Sequence, residues 1–458
     1  MMENHMSYKG TNKLLVGIVL AVLSFWLFAQ SILNMAPDVQ ADLGVPSSVM
    51  ETGISLTALF SGLFIVVAGG LADKLGRVRF TYFGLLLNIV GSFCLIFSSG
   101  AILFILGRIC QGLAAAFIMP ATMSLVKTYY DGKERQRAVS FWSIGSWGGS
   151  GLCSFLGGAI ASTLGWRYVF VFSILASLMS FICLWGTPES KVETKKSRFD
   201  LVGLVLFIVS MLALNIGIAS AQERGLFSTI TISLFLLMLA GLCLFYKVEH
   251  SKENAFIDFQ LFQNRKYLGA TLSNFLLNAV AGTLIVVNTY MQLGRGLSAQ
   301  VAGELSLGYL ACILVTIRIG ERLLQQFGAR KPMVMGTIMT FIGISLMMFV
   351  NISGPMYLVM VFLGYAIYGI GLGIYATPST DAAIATIPNE KVGSASGIYK
   401  MASSLGGAIG VAISIALFYA FSGKNHYDIG LLWGLAVNLV FCILAFVSIM
   451  FVMPRKNN

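Results

Sequence analysis

Apolar residues in this chain neither alternate with polar ones nor recur as a single helical stripe; they come in nearly unbroken runs of about 20, divided by short charged breaks. A run of that length carries a helix across the hydrocarbon core of a bilayer. Fourteen spans are predicted, at 13–35, 50–72, 80–98, 101–126, 138–163, 167–186, 200–220, 228–246, 267–292, 300–318, 332–351, 356–380, 393–421 and 428–452. The expected fold is an all-α integral membrane protein of fourteen transmembrane helices. The first run is too long for a signal peptide and shows no small-residue cleavage site, so it is expected to remain as a span.

Charge then sets the orientation. Only 11% of the 458 residues are charged, against about 25% in a soluble domain. The net charge of +11 would suggest nucleic acid, but its distribution argues otherwise. With an even number of spans and both ends in the cytoplasm, 24 of the 30 Lys and Arg fall in inner segments. Arg167, Arg224, Arg295 and Lys424 fall outside, and Arg108 and Lys400 lie within spans. That asymmetry is the positive-inside rule, so the basicity reports topology in a cell membrane and no nucleic-acid partner is expected. All seven cysteines fall in predicted spans without ligand spacing. They are read as packing residues, with no metal site and no disulfide expected.

Two stretches repeat at an offset of 258: "IMPATMSLVKTYY" aligns with "YATPSTDAAIATIP", placing Pro120 over Pro378, and Gly148 falls over Gly406. The chain therefore reads as two six-helix bundles, 1–190 and 265–458, with two linker helices inserted within 191–264. Paired repeats of this kind build secondary transporters, whose substrate sites lie at the midplane between the halves.

The break after the second span, "GGLADKLGRVRF", is more elaborate than a loop needs to be. Positive charge alone would anchor it at the cytoplasmic face. Glycines that allow close helix approach, with an Asp able to cap or pair at a helix end, suggest a latch holding one arrangement of helices. Here the sequence resembles the major facilitator superfamily: Gly69, Leu71, Ala72, Asp73, Gly76 and Arg77 match its loop signature. "GRICQGLAAA" resembles its fourth-span motif, with Arg108, Gln111 and Gly112 in place. "LGWRYVFVFS" and the fourteen-span plan resemble its drug:proton antiporter branch, and within it the quinolone-efflux pumps of staphylococci. The likeness covers nearly the whole chain. It implies gating by Gly69, Asp73, Gly76 and Arg77, and a proton-relay role for Arg108. The chain departs from the branch twice. Ala29 stands where the first span usually carries an Asp, and Cys153 and Ser154 replace the Gly-Pro of the fifth-span motif, which keeps Gly149, Gly157 and Gly158.

Ionisable groups inside a span are costly and mark function by default. Arg108 is either the relay or a structural bond to a neighbouring carbonyl or to Gln111. Glu51 and Glu304 sit at matching outer helix starts, either partly desolvated as proton carriers or exposed acids favoured by the helix dipole. Asp381 and Lys400 form either an inner-mouth pair that breaks on opening or two separate snorkelling groups. A drug-sized aromatic substrate calls for aromatic and Met surface with scattered amides. Trp26, Gln30 and Asn34 in the first span, Gln111 in the fourth, and Trp142 and Trp147 in the fifth supply these groups. So do Asn274, Asn278, Asn288, Tyr290 and Gln292 in the ninth, with Tyr365, Tyr368, Tyr399 and Met401 later.

The function this implies is proton-coupled export of amphipathic compounds by alternating access, from a monomer whose partners are the bilayer, small drugs and protons. Proton-coupled uptake of a small metabolite on the same fold is the alternative. No phosphate-cradling G-x-x-x-x-G-K-[ST] loop is present, so no nucleotide cofactor is expected and a proton gradient supplies the drive. An enzyme is excluded: His5, His250 and His426 lie outside the spans, and no nucleophile–base set appears.

Overall fold

The computed structural model describes residues 8–191, 201–224, 228–250, 259–352, 354–423 and 426–455. These form helices and connecting turns, with no strand among them, and eleven helices are long and apolar enough to cross a membrane. Polar residues set the helix ends. Thr11 accepts from the Leu14 amide at 3.1 Å to start Asn12–Leu23, and Asn264 accepts from Lys266 and Tyr267 to start Arg265–Ala279. Gly76 (φ 126°) and Gly328 (φ 74°) close Ser47–Leu75 and Leu307–Phe327 in backbone conformations that L side chains rarely adopt. The two repeat-related prolines both lie inside long helices, Pro120 in Ala101–Tyr129 and Pro378 in Pro355–Ala385.

Four expected spans are not continuous α-helix, the tenth dividing at Ser306 into Ala299–Leu305 and Leu307–Phe327. The first runs as Asn12–Leu23, a π turn Ser24–Phe28, a 3₁₀ turn Ala29–Ser31 and Ile32–Leu43. The fifth runs as Gly132–Ser143, a π turn Ile144–Gly148 and Gly149–Thr163. The ninth divides into Arg265–Ala279 and Gly282–Leu293, its break closed by Ala281 N–H to Asn278 O (3.1 Å) and Thr283 N–H to Val280 O (2.9 Å). Just past the break in the ninth span, any side chain at Gly282 would collide with the Ser414 hydroxyl, so only glycine fits there.

The chain divides into two compact units, residues 1–198 with 387–400, and residues 199–386 with 401–458. In the first, a ridge of Gly145, Gly149, Cys153 and Gly157 packs on the first span. A methyl group at Gly149 would stand 3.0 Å from Trp26 Cβ, and one at Gly157 would overlap Ser31. Ser31 also donates to Cys153 O at 3.1 Å, so a small residue is what the ridge needs at 153. An outer core of Met35, Val39, Leu95, Phe104, Trp166 and Phe170 closes the far end. In the second unit Gly343 and Gly371 bring Arg330–Met347 against Pro355–Ala385 backbone to backbone, and Gly406 and Gly410 do the same against Arg265–Ala279. Large apolar side chains remain on the outside, Ile102 at 77% and Phe451 at 80% exposure, as a lipid-facing surface requires and a water-facing one penalises.

Candidate functional site

The charged break after the second span forms a latch. Gly69 and Gly393 meet so closely that neither can carry a Cβ, and Gly397 rests on Ile65 O. This seats the start of Val392–Ser422 beside the end of Ser47–Leu75. Asp73, 3% exposed, then accepts from Gly393 N–H with both oxygens (3.0 and 2.8 Å) and from Ser394 N–H at 3.2 Å. Its carboxylate thus sits on a helix N-terminus, where unsatisfied amides and the helix dipole favour negative charge. Arg77 Nε and Nη2 donate to the same carboxylate at 3.0 and 2.8 Å. The rest of the guanidinium reaches Thr128, Ser190 and the Asn389 carbonyl. Glu189 completes the corner by accepting from the Val78 and Arg79 amides at 2.9 and 3.0 Å, which caps Arg77–Ile96.

Arg108 is fully buried in Ala101–Tyr129. Its Nη1 donates to Ala29 O at 2.7 Å and to Gln111 Oε1 at 2.6 Å, while Thr57 hydroxyl donates to its carbonyl at 2.9 Å. Ala29 is the first residue of the 3₁₀ turn that follows the π turn, so irregular backbone presents an acceptor here. Among the described residues Arg108 Nε and Nη2 and Gln111 Nε2 have no hydrogen-bond partner.

A second buried cation lies in the same unit. Lys400, 5% exposed, donates to Ser146 hydroxyl at 3.0 Å. Its ammonium stands 4.5 Å from the Trp142 ring centroid and 5.9 Å from that of Trp26. Trp142 is held by its indole N–H on Thr122 Oγ1 at 3.0 Å. A desolvated cation over a Trp face gains about 2 kcal/mol, which offsets part of the cost of burying the charge. Ser146 belongs to one π turn and Trp26 to the other, so the two helix irregularities meet at this ammonium.

A family model described as Major Facilitator Superfamily matches residues 14–263 and 268–458. The chain belongs to the Major Facilitator Superfamily. It is 50% identical over 453 residues to "Quinolone resistance protein NorB" of Staphylococcus aureus (strain MRSA252), covering 99% of this chain and 98% of that one. The same protein from strain COL is 49% identical over the same length. Among solved structures, the proton:xylose symporter XylE superposes with a TM-score of 0.65 at 15% identity, covering 97% of this chain and 96% of that one. The human organic anion transporter MFSD10 gives 0.65 at 14% identity, covering 96% and 98%. At such identities the likeness carries the superfamily fold alone. A multi-pass membrane protein of a transporter family is thereby shown.

The remaining site residues do not form one cluster. Glu51 and Glu304 are both exposed. Asp381 is buried within the second unit. Of the alternatives open for Lys400, its ammonium is held within the first unit by Ser146 and Trp142. Tyr365 and Tyr368 are buried with their hydroxyls on Leu284 O (3.4 Å) and Val280 O (3.2 Å), which makes them braces of the broken ninth span. Tyr290 donates to Asp428 and accepts from Arg295 Nε at 2.8 Å, an end-of-helix network. Asn288 and Gln292 bond each other at 2.6 Å. Asn274 donates to Ser403 at 2.6 Å and accepts from Asn278. Gln30, Trp147 and Met401 are half-buried and Tyr399 is buried, while the side chain of Asn34 lies outside the described residues. Glu189, Thr57 and Ser146 escaped the sequence reading; each is a common polar residue beside an apolar run, and only the partner gives it a role.

Proposed function

We propose that this protein is a proton-coupled multidrug exporter that moves amphipathic compounds such as fluoroquinolones out across the cell membrane by alternating access. The observation that carries this reading is 50% identity along 99% of the chain to a protein named for quinolone resistance. The closed latch supports it, because Asp73 on a helix N-terminus is a contact that either forms or breaks as helices rearrange. In this reading the chain crosses the bilayer fourteen times, with 138–163, 200–220 and 332–351 as the further crossings, both ends in the cytoplasm, and the two linker helices inserted between six-helix halves. It works as a monomer without a cofactor. A proton falling inward gains about 2.3 kcal/mol per 100 mV.

Within that cycle Arg108 does not shed its own proton, since guanidinium stays charged in proteins; it acts by holding positive charge beside whatever titrates. Asp381 is favoured over Glu51 and Glu304 as the proton carrier because it alone of the three is buried. The test is transport in proteoliposomes under an imposed pH gradient, with a fluoroquinolone and a lipophilic cation, for wild type, Arg108→Ala, Glu51→Gln, Glu304→Gln and Asp381→Asn. Drug movement opposite to protons, abolished by Asp381→Asn while binding survives, is the expected result. Absence of gradient-driven movement of either compound by folded protein overturns the exporter and favours metabolite uptake.

A further inference from the structure

Two basic side chains, Arg108 and Lys400, are buried in the first unit, and among the described residues neither has a carboxylate in ion-pairing distance. Both are committed to neutral groups, a backbone carbonyl and an amide oxygen for one and a serine hydroxyl for the other. A neutral acceptor positions a cation without cancelling its charge. Burying a charge in that condition is costly, and an arriving anion removes the cost. Around Lys400 the remaining features suit one kind of anion. Trp142 and Trp26 offer two aromatic faces beside the ammonium. The buried indole N–H of Trp26 has no acceptor among the described residues, so a hydrogen-bond donor is available beside the ammonium. Trp26 is half-buried whereas Trp142 and Lys400 are buried. Ala29 stands in the first span where an acid would draw a cationic ligand instead.

We propose that Lys400, framed by Trp26 and Trp142 and steadied by Ser146, receives the carboxylate of a flat aromatic substrate, so that the protein prefers carboxylate-bearing amphipaths, zwitterions included, over purely cationic ones. This rests on the exporter reading and narrows it. The carboxylate forms a charge-assisted bond to the ammonium while the aromatic body stacks on indole. A lipophilic cation meets repulsion at the same place.

The experiment measures binding by calorimetry to the full-length protein in lipid nanodiscs, with a fluoroquinolone and its carboxyl methyl ester as probes. Wild type is expected to bind the free acid at least tenfold more tightly than the ester. In Lys400→Met, which keeps the length and removes the charge, that ratio falls to about one; Lys400→Arg retains part of it. Because the ester comparison is made on wild type, the result does not depend on any variant folding. Equal affinity for acid and ester in wild type, or an undiminished ratio in Lys400→Met, overturns the assignment. Gradient-driven transport of the ester in the same preparation is read separately: if it persists while acid and ester bind alike, the exporter stands and the Lys400 site falls. If neither probe binds or moves, both readings fall together.

Discussion

Replacing Asp73 by Asn keeps the shape of the latch and removes its charge. The carboxylate accepts two backbone amides and two guanidinium nitrogens, all buried. An Asn side chain retains one acceptor oxygen and presents an amide nitrogen to a donor that needs an acceptor. One hydrogen bond to a charged group contributes about 1.5–3 kcal/mol, and at 3% exposure solvent screens it little. A loss of about 2 kcal/mol is a thirtyfold shift toward the open latch at about 1.4 kcal/mol per tenfold. Arg77 then keeps Thr128, Ser190 and Asn389 but loses its counter-ion, which acts in the same direction. The measurement is amide hydrogen exchange at Gly393 and Ser394 in nanodiscs. Exchange there should quicken about thirtyfold in Asp73→Asn while amides in the middle of Ala101–Tyr129 keep their rates. Unchanged exchange at 393 and 394 would refute the reasoning, because the bonds would then hold nothing shut.

Three further expectations follow from single contacts. Gly157→Ala should lower the melting temperature by several degrees, because its methyl overlaps Ser31; Ser31→Gly in the same chain should restore part of the loss, and no recovery would mean the ridge does not pack there. Arg108→Lys should cut gradient-driven transport at least tenfold despite keeping the charge, since one ammonium cannot reproduce the guanidinium geometry toward Ala29 and Gln111; near-normal transport in vesicles would contradict this. Bonding to the Arg167 guanidinium holds Asp42 below its ordinary carboxylate pKa, helped by the Trp166 indole N–H at 3.2 Å. A lowered folded-state pKa stabilises above the unfolded value of about 3.9 and is lost as pH falls through the folded one. The melting-temperature gap between wild type and Asp42→Asn should therefore be present at pH 7 and close below about pH 4; a gap that persists at low pH rules the pair out as its source.

The helices were legible because apolar runs of membrane length are the strongest pattern a chain can carry, and the latch because its glycines and Asp stand in a fixed order. The irregular turns at Ser24–Ser31 and Ile144–Gly148 left no such trace, since a π turn changes the backbone hydrogen bonds without changing which residues are apolar. Glu51 and Glu304 show the same limit from another side. A helix-start acid looks identical in sequence whether neighbours bury it or leave it exposed. The partner of Asp73 lies 320 residues further on, at Gly393, in a run of small residues that reads as nothing more than close packing.

Those hidden irregularities explain how a chain without the first-span acid can still hold a buried arginine. Where a carboxylate would both place and neutralise the guanidinium, the 3₁₀ turn offers the Ala29 carbonyl, and the fourth span offers Gln111. Both acceptors are neutral, so geometry is kept while charge is left over. The same substitution of dipole for charge occurs at Lys400, where a serine from the fifth-span π turn and the ring of Trp142 do the holding. Two sites built by one device in one unit argue that the uncompensated charge is retained for use. Removing an unpaired buried charge removes its desolvation cost, so Lys400→Met should fold at least as well as wild type and fail only in what it binds.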